Sequence, residues 1–226
     1  MFIAIFIKLV FHISEFIMPQ ILIFILELVG TVSFAVSGAM TALKHKMDVF
    51  GVAILGLVTA VGGGVIRDLI LGVTPPATFE HPVYALIAVG VSIIIFIPAF
   101  RRILTKQQKI YDTMLLLMDS VGLGIFTVVG IRAAWEITDS ANVFLLIFVG
   151  VITGVGGGVL RDVLAGDTPY IFIKHFYATA SIIGAVFCIV FWHYFGETAA
   201  MIAGAAVTVV LRILAARFKW SLPHAE

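Results

Sequence analysis

Arg67 and Asp68 follow three consecutive glycines in GGGVIRD (Gly62–Asp68), and Arg161 and Asp162 follow three more in GGGVLRD (Gly156–Asp162), each pair inside an otherwise apolar run. A guanidinium or carboxylate in hydrocarbon is costly and faces a partner or a water-filled cavity, so its chemistry is ion pairing, ion passage or gating. Helix neighbours point about 100° apart, so neither Arg–Asp couple is expected to neutralise itself and each arginine needs another acid. Glu27 and Asp119, in two further apolar runs, are the candidates. Helical side chains lean toward their own N-terminus, which tips Arg67 and Arg161 back toward the glycines. Glu27 lies ~10 Å inside the end of its run at 1.5 Å per residue, a depth that Arg67 can reach. The expected pairs are Glu27 with Arg67 and Asp119 with Arg161, either holding the helices together or acting as gates.

Three adjacent glycines do not follow the spacing of a small-residue helix contact, and each costs ~1 kcal/mol relative to alanine in a helix interior. Broken backbone in a membrane is tolerated only against protein or a water-filled cavity. Gly62, Gly63 and Gly64, and likewise Gly156, Gly157 and Gly158, are therefore expected to interrupt their helices, marking a polar path or a very close helix contact. One half-helix would then end in free carbonyls and the next begin with free N–H groups. The carbonyls, with Ser33, Ser37, Thr59 and Thr153, suit a passing cation; the N–H end with an arginine suits an amino-acid carboxylate. Both readings stay open on these residues. Neither triplet ends in the Gly-Lys-Ser/Thr of a phosphate loop. His12, His45, His81, His175, His193 and His224 never fall at metal-ligand spacing. No enzymatic, cofactor or metal site is expected.

The elements that must position these groups are membrane helices. Of 226 residues, 62% are hydrophobic and 12% charged, and the mean hydropathy is +1.17, outside the range of soluble domains. The formal net charge of +1 and the lack of a basic face exclude nucleic acid as a partner. The lone Cys188 permits no intrachain disulfide. Hydrophobic runs of about 20 residues predict seven spans, near Gln20–Leu43, Val49–Leu71, Pro82–Phe100, Tyr111–Arg132, Val143–Ala165, Lys174–Phe195 and Thr198–Ala216. Residues 1–19 read as an apolar interfacial segment, with Pro19 at the entry to the first span. Lys44, Lys46, Arg101, Arg102, Lys106, Lys109, Lys174, Arg217 and Lys219 fall at one face, which places the N-terminus outside and the C-terminus in the cytoplasm.

GGGVIRDLILGVTP and GGGVLRDVLAGDTP agree at nine of fourteen positions at an offset of 94, and His81 falls on His175. With a two-residue shift, Glu27, Gly30, Phe34 and Gly38 fall on Asp119, Gly122, Phe126 and Gly130. Three spans are duplicated, and because three is odd the copies run in opposite senses, as an inverted-topology repeat. The fold class is an all-α membrane protein: a first repeat over 20–105, a second, inverted one over 106–196, and a seventh helix with its tail over 197–226.

The two GGGxxRD motifs, the stretch LELVGTVSFAVSGAMTA (Leu26–Ala42) and the three-plus-three-plus-one layout resemble the prokaryotic branch of the trimeric intracellular cation (TRIC) channels, a group also labelled glycine transporters. The resemblance runs from about Ile21 to Ala216. It implies a homotrimer in the inner membrane, among lipids, with a pore in each protomer around the second and fifth helices at Gly62–Gly64 and Gly156–Gly158. The implied permeant ions are potassium and sodium. The alternative is a secondary transporter of a small amino acid such as glycine. Under the channel reading Arg67 and Arg161, leaning inward from opposite faces, are expected to act as positively charged gates that Glu27 and Asp119 hold aside and that a membrane field drives in opposite directions.

Overall fold

The protein is described from a computed structural model, over residues 2–138, 142–173 and 176–220. The described elements are helices: α1 (Phe2–Lys44), α2 (Val49–Ile70), α3 (Ala77–Glu80), α4 (Val83–Phe96), α5 (Pro98–Lys106), α6 (Gln108–Ile137), α7 (Val143–Ala165), α8 (Tyr170–Ile173) and α9 (Tyr177–Phe218). Five are long and apolar enough to cross a membrane: Gln20–Lys44 within α1, then α2, α6, α7 and α9. Residues 2–19 belong to the same helical run as the first of these. Large apolar side chains such as Phe50, Leu86 and Phe144 are exposed on the outside of the bundle, as they must be where lipid is the solvent.

Local chemistry sets the ends. The Asp48 carboxylate caps α2 by accepting from the Gly51 N–H at 2.7 Å, and the Asn142 side chain caps α7 through the Leu145 N–H at 3.0 Å. Gly166 closes α7 in the left-handed conformation, φ 76°. The third predicted span is shorter than Pro82–Phe100. Pro98 pushes the preceding Ile97 into extended geometry (φ −55°, ψ 135°), so α4 stops at 14 residues, roughly 21 Å, and α5 restarts with the proline in its first turn.

Predicted spans six and seven are one element, α9, of 42 residues, broken at Gly196 (φ 78°, ψ 174°). Gly184 packs against Gly204 and Thr208, and Gly204 against Cys188. Contacts whose residue numbers rise on one side as they fall on the other define a hairpin that doubles back at Gly196. The expected start of the sixth span at Lys174, and the mirror residue His175, lie outside the described residues.

Both glycine triplets are helical throughout: α2 and α7 run through Gly62–Gly64 and Gly156–Gly158 without interruption. The expected helix breaks, with their free carbonyls and N–H groups, are absent there. Of the two alternatives, the close helix contact is the one formed. A Cβ on Gly63 would overlap the carbonyl of Thr153, and a Cβ on Gly157 would overlap the carbonyl of Thr59. The two helices therefore cross antiparallel, backbone on backbone, and only glycine admits that approach. The flanking helices repeat the device. Gly38 of α1 seats against Gly56 and Thr59 of α2, and Gly130 of α6 against Gly150 and Thr153 of α7. The rings of Phe34 and Phe126 meet between α1 and α6 with centroids 5.3 Å apart.

Candidate functional site: two charged clusters beside the glycine crossing

Arg161, near the C-terminal end of α7, is the largest fully buried side chain in the protein as described. Its Nη1 donates to Asp119 Oδ1 of α6 at 2.7 Å and to the Ser37 hydroxyl of α1. Its Nε donates to Asp162 Oδ1 at 2.8 Å, and its guanidinium lies 5.0 Å from the Tyr170 ring centroid. The loop beyond α7 fixes the second acid, because the Tyr170 N–H donates to Asp162 Oδ2 at 2.8 Å. Asp119 also accepts from the Tyr177 hydroxyl at 3.4 Å. Its other oxygen, Oδ2, is buried without a hydrogen bond and lies 3.9 Å from Arg212 Nη2 of α9, while the Arg212 guanidinium stacks over Tyr177 at 4.6 Å. Asp112, Leu115, Asp119, Tyr170 and Arg212 line a cavity of about 250 Å³ beside this cluster.

The copy at the end of α2 is built on the same plan and left more open. Arg67 Nε donates to Asp68 Oδ1 at 2.8 Å, and the Ala77 N–H of the following loop holds Asp68 Oδ2 at 2.9 Å. Arg67 is 13% exposed at its side chain against 0% for Arg161. Glu27 accepts from the Tyr84 hydroxyl of α4 at 2.6 Å. Glu27, Thr31, Gly64, Arg67, His81 and Tyr84 line a second cavity, of about 180 Å³.

Of the two expected ion pairs the structure brings together Asp119 with Arg161 and leaves Glu27 without Arg67. Each arginine also pairs with the aspartate next to it, contrary to the expectation from helical angles. Three methylenes carry the guanidinium across the angular gap, and a loop N–H turns the neighbouring carboxylate to meet its Nε–Nη2 edge. Ser33, Ser37, Thr59 and Thr153 are all buried. Thr59 and Thr153 donate to the carbonyls four residues back, Leu55 and Val149, at 2.6 Å each, and sit in the α1–α2 and α6–α7 contacts, while Ser37 serves Arg161. Sequence reasoning passed over Arg212, Tyr84, Tyr170 and Tyr177. Arg212 carried the same signal as Arg161, a cation inside an apolar run. The tyrosines carried none, because a span-end tyrosine ordinarily marks the interface.

Past the C-terminal end of α7, His45 Nε2 lies 3.0 Å from Asp167 Oδ2 and Lys44 Nζ 3.7 Å from it, tying the end of α1 to the end of α7. The His45 hydrogen bond, with the charges of Lys44 and His45 behind it, holds the Asp167 carboxyl below its ordinary pKa against the opposing effect of burial.

Charged clusters enclosed by membrane-length helices define a multi-pass membrane protein whose polar machinery is internal. The model of the family described as "Glycine transporter" matches residues 24–99 and again 116–193. The UPF0126 inner membrane protein YadS of Escherichia coli K12 is 38% identical over 205 residues, 89% of this chain and 95% of YadS. The chain belongs to this family. Among solved structures, a chain from the work on conductance through TRIC cation channels is 40% identical, with a TM-score of 0.78 over 89% of this chain and 96% of that one. The TRIC trimeric intracellular cation channel orthologue from Rhodobacter sphaeroides is 37% identical, with a TM-score of 0.79 over 87% and 98%. The all-helical fold is that of the TRIC channels.

Proposed function

We propose that the chain is one protomer of a homotrimeric channel for monovalent cations, potassium and sodium, in the inner membrane. The observation that carries this reading is the near-complete match to a TRIC cation channel at 40% identity. Seven spans serve it: Gln20–Lys44, α2, α4 with its continuation, α6, α7 and the two arms of α9. Two inverted three-helix repeats followed by a seventh helix account for the antiparallel α2–α7 crossing and for a family model that matches twice. The pore of each protomer runs beside that crossing, between the cavity at Glu27 and Arg67 and the cavity at Asp119 and Arg212. Gly62–Gly64 and Gly156–Gly158 let α2 and α7 meet at its waist, with Ser33, Ser37, Thr59 and Thr153 packed around it. Arg67 with Asp68, and Arg161 with Asp162, are the charges that a cation must pass, and Glu27 and Asp119 are the acids that draw it in.

Purified protein in planar bilayers tests the reading. Unitary potassium currents that need no glycine are expected, from particles whose mass in detergent is that of three protomers; a monomeric or dimeric mass removes the trimer. The family's description favours a glycine carrier as the second reading, and saturable glycine uptake without unitary currents would establish it instead. The excess of lysine and arginine at the Lys44 face orients the chain with its C-terminus in the cytoplasm. Single cysteines placed at Lys46 and Glu80 in a Cys188→Ala background are expected to react with an impermeant thiol reagent only from the cytoplasmic and only from the outer side respectively. The reverse labelling would invert the topology.

A further inference from the structure

The loops that follow α2 and α7 share one backbone plan and differ in one charge. The Val73 N–H donates to the Asp68 carbonyl at 2.8 Å, and the Asp167 N–H donates to the Asp162 carbonyl at 2.9 Å. Further along each loop, the N–H of Ala77 or of Tyr170 holds the same aspartate's Oδ2. Val73 and Asp167 are equivalent at the offset of 94, so the loop forms without a carboxylate at that position. The Asp167 side chain therefore serves a contact outside the loop.

That contact is with the end of α1. His45 is the nearer partner, at 3.0 Å from Asp167 Oδ2 against 3.7 Å for Lys44 Nζ. The His45 and Asp167 side chains are 28% and 31% exposed, open to protons from solution. Of the other charged groups, Lys46 and Asp48 share the turn with His45, and Asp48 is committed to capping α2. From α6, Tyr111 lies within electrostatic reach of Asp167 and donates its hydroxyl to the Met40 carbonyl at 3.2 Å. Asp167 is held below its ordinary pKa and stays a carboxylate through the neutral range, where histidine is the side chain that changes charge. The attraction is full on the acid side, with the imidazole protonated, and falls to a neutral hydrogen bond as pH rises. Lys44 remains beside Asp167 throughout, so the contact weakens without vanishing.

What the contact restrains is the wall of the Arg161 cluster. Two residues separate Asp167 from Tyr170. The Tyr170 N–H turns Asp162 toward Arg161, its ring lies 5.0 Å from that guanidinium, and it lines the cavity of about 250 Å³ beside Asp119 and Arg212.

We infer that His45 and Asp167 form a proton-operated latch: protonation of His45 from the Lys44 face fastens the loop between Asp167 and Tyr170 to α1 and keeps Tyr170 in the cavity wall, and deprotonation loosens it. That the latch restricts cation passage rests on the channel reading; the latch itself does not.

Amide exchange of segment 166–173, read by mass spectrometry on the full chain in detergent, tests the latch. His45→Gln keeps a hydrogen-bond donor and removes the titrating charge, and comparison with the wild type at one pH cancels the intrinsic pH dependence of exchange. At about pH 5 the wild type is expected to exchange about two- to five-fold more slowly than His45→Gln, the range open to a partly exposed ion pair. At about pH 8 the two are expected to coincide. In an Asp167→Asn background His45→Gln is expected to change nothing at either pH. A ratio that stays constant with pH, or one that survives in the Asp167→Asn background, would overturn the latch. In bilayers, the open probability for potassium is expected to rise about two- to five-fold when the Lys44 side alone is taken from about pH 5 to about pH 8, and to stay level in His45→Gln. The exchange result with a level wild-type open probability, or an equal rise in His45→Gln, would overturn the control of passage. The exchange result in a protein that never conducts would remove the channel reading and leave the latch standing.

Discussion

Arg161→Ala will lose about 3–5 kcal/mol of stability, the usual cost of breaking a buried ion pair and stranding its partners. Asp119 and Asp162, both almost fully buried, would lose the guanidinium that pairs with both, and Ser37 would lose its donor. Arg67→Ala strands only Asp68, which the Ala77 N–H still holds, beside a cavity that water can enter. Its expected cost is about 1–3 kcal/mol, that of hydrogen bonds to a charged group. Thermal unfolding and detergent-solubilised yield of the two variants measure the difference. Equal, small losses would show that the Arg161 cluster does not hold the bundle together. Arg67→Ala is accordingly the variant in which gating can be read: as a gate, its removal should raise open probability or weaken voltage dependence, which a full charge crossing the membrane would set at ~2.3 kcal/mol per 100 mV.

Within one glycine triplet, adjacent alanine substitutions are expected to behave in opposite ways. Gly63→Ala drives a methyl group into the Thr153 carbonyl of the crossing helix, where the obstacle is backbone and cannot rotate away. Overpacking of this kind costs about 1–3 kcal/mol or more. Gly157→Ala repeats the collision at the Thr59 carbonyl, and the double variant should not assemble. Gly64→Ala meets nothing closer than 3.9 Å and should gain up to ~1 kcal/mol from helix propensity. Unfolding temperatures of the three single variants decide the matter. If Gly63→Ala is as stable as Gly64→Ala, α2 and α7 do not meet backbone on backbone at this crossing.

Glycine patterns in the sequence pointed to the right helices and could not tell which glycine of each triplet touches backbone, because that depends on the crossing angle of two segments ninety-four residues apart. The expectation of broken helices failed for a related reason. Glycine's helix penalty is an average over solvated positions, and a glycine buried against another helix recovers it in contact. Asp119 with Arg161 was legible because both lie at matching depths on duplicated helices. Glu27 with Arg67 was drawn from depth alone, and depth does not fix a partner: Glu27 takes the Tyr84 hydroxyl of α4, and Arg67 takes the neighbouring Asp68. The self-pairing of each arginine with its neighbour was hidden by treating side chains as vectors at the Cβ when the groups that meet lie several bonds beyond it.

Gly196 alone makes the turn of the α9 hairpin. A chain that reverses at one left-handed residue exposes almost no loop where its two arms join, since residues 195 and 197 already belong to helix. Proteases, antibodies and inserted tags therefore have little purchase between the two arms of α9, and the two ends of this 42-residue hairpin lie side by side, Phe176 against Trp220.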